Sequence, residues 1–594
     1  MKRKKLIRIS LCVVLLFFSV DAFAAVASPT LPTPDIKANE QDGPITVTSG
    51  TPVSIKASLS PGNENGNLAD WWLVANQSPD GWYSFTSNGW TTGIKSFGQY
   101  PLSIISPVEI YYFPSLSVGD YAFYVGVDMN PNDDLDLPVL YYDVVQVHVA
   151  PDPQVLARVE VPKKLQDLNL PVHAGLVDGS GVYYALVITT RTQLNAAGVT
   201  YRVIDECPPD TDYLLASSGN PADNGEAAKA VNVLYDDGHW IIVRDIDTVD
   251  EILADIGFDL KLMSNEPIIL ESTDADAARN EAALAQLPGV SEMIGKIKQE
   301  TVTAYISQLS GESQVTIEGE PYTIKNRHTD GAPIQKATQY IRDRLKGMKE
   351  MTVSTHDWTR KGHKGSNIIG ELKGKEKPGE IVIMIAHLDS INKLDESYEG
   401  GKDAPGADDD ASGCAALLTA AEIMSNYAFQ STIRFIFTTG EEQGTLGSEA
   451  YVNDVKGQNI VAVLNLDMIA YSTSGLTPPT QHIKTRHDKD LGNLKDMVIA
   501  NLYKGVVTLY GLDSSLNVVI KQDSDVNGDQ SSFWDKKIPA AWVIEDDFDN
   551  FNKDNMHTVK DRLNTLNMSY CTAQVKATLA TAAHLAGSTS TSAP

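Results

Sequence analysis

The sequence predicts a multidomain protein. Its C-terminal half reads as an α/β domain with a mixed, largely parallel central sheet. Three observations carry this expectation. Ile381–Ala386, Thr432–Thr438 and Ile460–Leu466 are short, apolar and β-branched, the length of buried strands. A helix-like run from Ser412 to about Tyr427 separates the first two, as a parallel crossover requires. Each run ends in polar residues: His387 and Asp389, then Glu441 and Glu442, then Asp467. In open α/β sheets, ligands gather beyond the carboxyl ends of strands.

The 594 residues exceed one ordinary domain and suggest three or four. Met1–Lys5 is basic, Leu11–Val20 is apolar, and Ala22-Phe23-Ala24 is a small-x-small site. Residues 1–24 therefore read as a signal peptide for secretion or a periplasmic address, with an apolar core too short to span a bilayer. Residues 25–42, rich in Pro, Ala and Ser, read as a linker. The formal net charge of −29 argues against nucleic acid or an anionic membrane as partner. Four cysteines, one within the signal, exclude a disulfide scaffold.

From 43 to 150 seven short segments lack any helical period: PITVT, PVSIKASLS, DWWLVANQ, WYSFT, VEIYYF, DYAFYVGVDM and VLYYDVVQVHV. They predict an immunoglobulin-like β-sandwich. Trp71, Trp72, Trp82 and Trp90 could form a ligand platform, but packing is the plainer reading. Asp128, Asn130, Asn132, Asp134 and Asp136 alternate along one loop and could hold Ca2+. A solvated hairpin tip is the simpler expectation, since no bidentate Glu completes the set.

Residues 151–275 mix strand-like and helix-like runs in an α+β pattern, with His173 and His239 isolated and expected to be structural. Residues 276–289 read as a linker or processing region. The α/β domain is expected over 290–588, with His356 and His363 on its surface and a disordered tail at 589–594.

The polar strand ends have a chemical logic. A hydrolytic two-metal site needs nitrogen and oxygen ligands, a carboxylate bridging two ions, and a separate carboxylate to move protons. His387, Asp409, the Glu441–Glu442 pair and Asp467 supply most of this set. His557, past the apolar run Ala540–Ile544, is the candidate second imidazole, and His482 and His487 lie in a surface-like stretch. Singly, each has a duller reading: a structural histidine, a solvated turn, or a helix cap by Asp410 or Ser412.

Taken together, five motifs stand in order: His387-x-Asp389-Ser390, Pro405–Gly413 (PGADDDASG), Glu441-Glu442-x-Gly444-x-x-Gly447-Ser448, Leu466-Asp467-Met468 and His557-Thr558-x-x-Asp561. In these the chain resembles the co-catalytic di-zinc aminopeptidases of the bacterial leucyl aminopeptidase type, whose zinc-peptidase fold is shared with glutamate carboxypeptidase. The resemblance covers about residues 290–588. It implies two Zn2+ per domain, one on His387 and Asp467, the other on Glu442 and His557, with Asp409 bridging. Glu441 would be general base and acid to a metal-activated water, and Asp389 would hold the His387 imidazole. The 151–275 segment resembles the propeptide-type modules placed before secreted peptidase domains, which implies a folding assistant or inhibitor.

The resemblance further implies a secreted exopeptidase acting on peptide or protein N-termini. Met468, Trp542, Ile544, Phe548, Phe551 and Met556 fall where relatives build an apolar pocket, so a bulky apolar residue such as Leu is the expected preference. The chain departs from the family at Asp523, Asn527 and Gln530, which stand where secreted relatives often carry two cysteines and a histidine. Asp525 lies where an aromatic is common. With Asp546 and Asp547 it could attract Lys or Arg instead. A carboxypeptidase or glutaminyl cyclase on the same fold, or a non-catalytic binding protein, are the remaining alternatives. Few basic residues near the pocket and an intact ligand set weigh against them.

Overall fold

The computed structural model describes residues 31–78, 81–206, 211–218, 222–246, 248–268, 284–392, 403–473, 475, 477–490, 493–546 and 550–592. The expected signal peptide, the processing region up to 283, Cys207, Asp547 and Phe548 lie outside the described residues. The chain divides into two compact units, Met1–Pro153 and Gln154–Pro594.

The first unit is all-β, with a three-stranded and a seven-stranded sheet. Alternation explains its core. In Val53–Ser60 every second side chain is buried, and Phe123, Val125, Val145 and Val147 of the other sheet face the same apolar cluster. Thr33–Ala38, expected as linker, is instead a strand paired antiparallel to Val53–Ser60. Its proline-rich surroundings mask the alternation that buries Pro34, Ile36 and Ala38. Of the tryptophans, Trp72 is 4% exposed and Trp90 stands edge-on to Tyr111 at 5.5 Å, while Trp71 lines an apolar cavity. In the acidic loop, Asp128 accepts the N–H of Asn130 and Asp136, and Asp70 accepts those of Asn132 and Asp133. These hydrogen bonds tie the loop, while Asp70 Oδ1 is buried without a hydrogen-bond partner.

In the second unit, eight strands form a mixed sheet in the order 351–360, 363–372, 431–438, 377–387, 459–466, 540–544, 480–485, 517–522. The strands 377–387, 431–438, 459–466 and 540–544 pair in parallel. The apolar helices Ala411–Met424 and Met568–Ala586 share one core with this sheet. Ser588–Ser592, most of it within the 589–594 expected as a disordered tail, pairs with Tyr427–Phe429. Thr589 supports that pairing by donating to the Ala428 carbonyl. The free cysteines Cys414 and Cys571 are both buried.

Residues 154–268 build two four-stranded antiparallel sheets, Val172–Val177, Tyr183–Thr190, Gln154–Glu160, Tyr201–Asp205 and then Val233–Asp236, Trp240–Arg244, Tyr213–Ser217, Asp259–Leu262. They belong to the same compact unit as the large sheet because they share its core. Leu214, Leu253 and Leu260 cluster with Trp358, Ile391 and Leu446. His363, expected at the surface, is 8% exposed and lies between Asp250 of this module at 2.7 Å and Asp330 at 2.6 Å. The hydrogen bonds it donates to these carboxylates, opposed by burial, raise its imidazole to about 10. Lys361 pairs with Asp212 and Asp245 beside it.

Candidate metal centre

Strand register brings the site together. Ile385 pairs with Asn465 and His387 with Thr438, so three neighbouring strands end at one level. The turn after Thr438 then presents Glu441 and Glu442, and Asp467 follows Leu466. Gly440 makes the turn with φ +80, and a Cβ there would meet Trp358 at 2.6 Å. Asp409 arrives from the N-terminus of the helix Ala411–Met424, which Asp410 caps by accepting the Gly413 N–H at 2.8 Å. His557 and Met468 sit in left-handed backbone, φ 56 and 54, a conformation non-glycine residues adopt at a cost.

Two groups of three residues result, His387 with Asp409 and Asp467, and Asp409 with Glu442 and His557. The Asp409 carboxylate is divided between them. Its Oδ1 lies 3.0 Å from His387 Nε2 and its Oδ2 3.0 Å from His557 Nε2. His387 Nε2 is 3.5 Å from Asp467 Oδ1, and His557 Nε2 is 3.0 Å from Glu442 Oε2. Glu442 Oε1 is buried without a hydrogen-bond partner.

The electrostatics describe a place short of positive charge. Burial and the nearby Asp409 push Glu442 up to about 7. Burial, with Asp467, Asp529 and Glu442, pushes Glu441 well above the usual carboxylate range. Burial disfavours the charged imidazoles, yet Glu441, Asp409 and Asp467 hold His387 well above its ordinary value, and Glu442 and Asp409 do the same for His557. Asp409 is held well below the carboxylate range by its hydrogen bonds to both histidines, which outweigh its own burial. Divalent cations would relieve this accumulation of carboxylates, and the mixed nitrogen and oxygen donors suit zinc.

The expected grip of Asp389 on His387 is not formed. The Nδ1–Oδ1 separation is 3.8 Å, beyond hydrogen-bond range, and His387 Nδ1 has no partner. Asp389 turns instead toward the next strand end. It accepts the N–H of Glu441 at 3.4 Å, that of Glu442 at 3.2 Å and the Thr329 hydroxyl at 3.1 Å. It therefore fixes the turn that carries the glutamate pair.

Sequence reasoning missed several supports. Arg327, fully buried, donates to the carbonyls of Leu388, Leu309, Pro405 and Gly406 at 2.6–2.9 Å. It joins the end of the His387 strand to the turn before Asp409. Asp561 accepts the N–H of Asp408 and Asp409, and Glu545 accepts those of Tyr471 and Asn552. Asp561 was legible as the last residue of the fifth motif; Arg327 had no motif to mark it.

Beside the metal groups lies a cavity of about 270 Å³. Met468, Trp542 and Ile544 form an apolar cluster against which Phe551 and Met556 pack, and all five line it. Asp525 lines it too, but pairs with the fully buried Lys484, whose ammonium also sits 4.8 Å from the Trp542 ring centroid. Asp546 lies 3.7 Å from His482, which is 4% exposed rather than at the surface. His487 stacks on Tyr183 at 4.5 Å. The opposite wall is supplied by the 154–268 module, through Ser217, Ser218, Gly238, His239, Asp259 and Leu260. His239, expected to be merely structural, thus faces the site, whereas His173 is buried against the Ser264 carbonyl at 2.8 Å.

Two groups of residues that could hold metal ions thus stand by the ends of parallel strands of an α/β domain, beside a cavity partly lined by apolar side chains. Residues 367–582 match the model of Peptidase family M28. A "Probable zinc metalloprotease" of Pyrenophora tritici-repentis is 42% identical over 118 residues, 19% of this chain and 27% of that protein. "Leucine aminopeptidase 1" of Ajellomyces capsulatus is 30% identical over 224 residues, 36% of this chain and 54% of that protein. The chain thus spans about a quarter to a half of the length of these relatives. Among solved structures, the LapA aminopeptidase of Legionella pneumophila aligns over 64% of this chain and 99% of its own, with 18% identity and a TM-score of 0.48. Among the described residues, no helix is long and apolar enough to cross a membrane.

Proposed function

We propose that the protein is a secreted zinc aminopeptidase that removes a bulky apolar N-terminal residue, Leu before others, from peptides. The observation that carries this reading is the division of the Asp409 carboxylate between two metal-ligand groups. His387 and Asp467 would hold one ion, Glu442 and His557 the other, and Asp409 both. When bound, the two zinc ions supply Lewis acidity at the scissile carbonyl and bring the attacking water's pKa toward about 7. Glu441 takes the water's proton and returns it to the leaving amine. Asp389 positions Glu441 and Glu442 through their backbone N–H groups. The substrate's free α-amine binds beside the metals, which makes the enzyme an exopeptidase. The 151–275 module would restrain activity until processing near 276–289.

The apolar preference is supported by the cavity's five hydrophobic side chains and by the pairing of Asp525 with Lys484. A carboxylate already neutralised offers little to an incoming Lys, and the neighbouring ammonium repels it. Zinc-loaded protein, whole and after proteolysis before residue 290, is expected to hydrolyse leucyl p-nitroanilide at least about tenfold better than the lysyl form, a difference near 1.4 kcal/mol. N-acetylated leucyl anilide should not be cleaved. Equal cleavage of blocked and free forms would overturn the exopeptidase reading, and a lysyl preference would overturn the apolar one.

A further inference from the structure

We propose, resting on that reading, that Asp259 of the 154–268 module is a latent ligand of the metal held by Glu442 and His557, and that this one carboxylate keeps the unprocessed chain restrained. Asp259 is the first residue of the strand Asp259–Leu262 and lies at its cavity end. Its Oδ1 is 3.9 Å from His557 Nε2. Donor atoms around a four-coordinate zinc lie roughly 3.3 Å apart, so this oxygen, which stands outside the three-residue group, reaches a ligand vertex only by moving in toward it. Three protein donors from the body of the domain leave that vertex open, as hydrolytic sites require. A carboxylate filling it would compete with the substrate for the same position.

The module holds the strand there by contacts that Asp259 alone does not need. Asp259 pairs with Ser217 in the sheet, and the Ser217 hydroxyl accepts from Asn527 of the pocket at 2.6 Å. Lys261 and Asp535 form a buried ion pair at 2.8 Å. The Leu262 N–H donates to the carbonyl of Gly444, two residues beyond Glu442, at 3.3 Å. A Cβ at Gly444 would stand 3.1 Å from Leu262 N, so the close approach depends on glycine. The strand is thus fastened to the rest of the unit through Asn527, Asp535 and Gly444, and its one carboxylate lines the cavity beside the metal groups. Asp259 keeps 34% of its side-chain exposure, toward the cavity it lines, so replacing it disturbs little packing.

The test compares full-length zinc-loaded protein with Asp259→Asn and Asp259→Ala. Release of zinc to a chromogenic chelator is followed alongside leucyl p-nitroanilide hydrolysis. Release of one of two zincs should quicken in both variants by at least about tenfold, the lower end of what even an outer partner of a metal ligand contributes. In the same variants kcat/KM should rise. Unchanged zinc release overturns the assignment even where activity increases. A raised KM with unchanged zinc release would make Asp259 a substrate-ammonium contact and overturns it equally. A parent chain that retains no zinc overturns the function proposed above, and this inference with it.

Discussion

Glu441→Gln is expected to lower kcat on leucyl p-nitroanilide by roughly 10²–10⁴-fold while KM and zinc content stay close to the parent's. The range is that of a positioned general acid–base. Gln keeps the volume and polarity of the side chain, so the turn held by Asp389 should survive. What is lost is the ability to accept and return a proton. Glu441 lines the cavity but belongs to neither three-residue metal group, which separates this substitution from one that removes a ligand. A loss of zinc together with activity would make Glu441 a ligand instead. A fall of less than about tenfold would leave the proton transfer to another group.

Arg327→Met should destabilise the domain by about 3–5 kcal/mol, the usual cost of breaking a buried charged network by removing one partner. The guanidinium is fully buried and donates to four carbonyls, and the methionine would leave those acceptors unsatisfied. Its charge also stands among Asp409, Asp410 and Asp561. Urea unfolding followed by tryptophan fluorescence would read the loss. Zinc affinity should weaken in parallel, because Arg327 ties the His387 strand end to the Asp409 turn. A variant of unchanged midpoint would remove Arg327 from the supports of the site.

The strands and the candidate polar residues were legible because each follows a local rule. Buried parallel strands are short apolar runs, and their carboxyl ends collect polar residues, so His387, Asp409, the Glu441–Glu442 pair, Asp467 and His557 could be singled out from order and type. Orientation was not legible. The sequence places Asp389 two residues from His387, yet whether its carboxylate meets that imidazole or the next strand's N–H groups depends on how the strand end twists. Non-local partners were equally hidden. Asp259 lies in a four-residue strand, DLKL, too short to show a period, and about 128 residues of chain separate it from His387. Asp525 looked like a specificity charge because its partner Lys484 comes from another strand. The burial of His363 and His482 has the same origin, in packing against elements remote in the chain.

The sharing of Asp409 between two ions is the claim on which the rest depends. The most direct measurement is the zinc content per chain of full-length protein dialysed against trace zinc, beside Asp409→Asn. The account predicts two zincs per parent chain and a weakening of both sites in the variant, since one carboxylate serves each. A parent chain that saturates at one zinc, or a variant that loses one ion and holds the other unchanged, would contradict it.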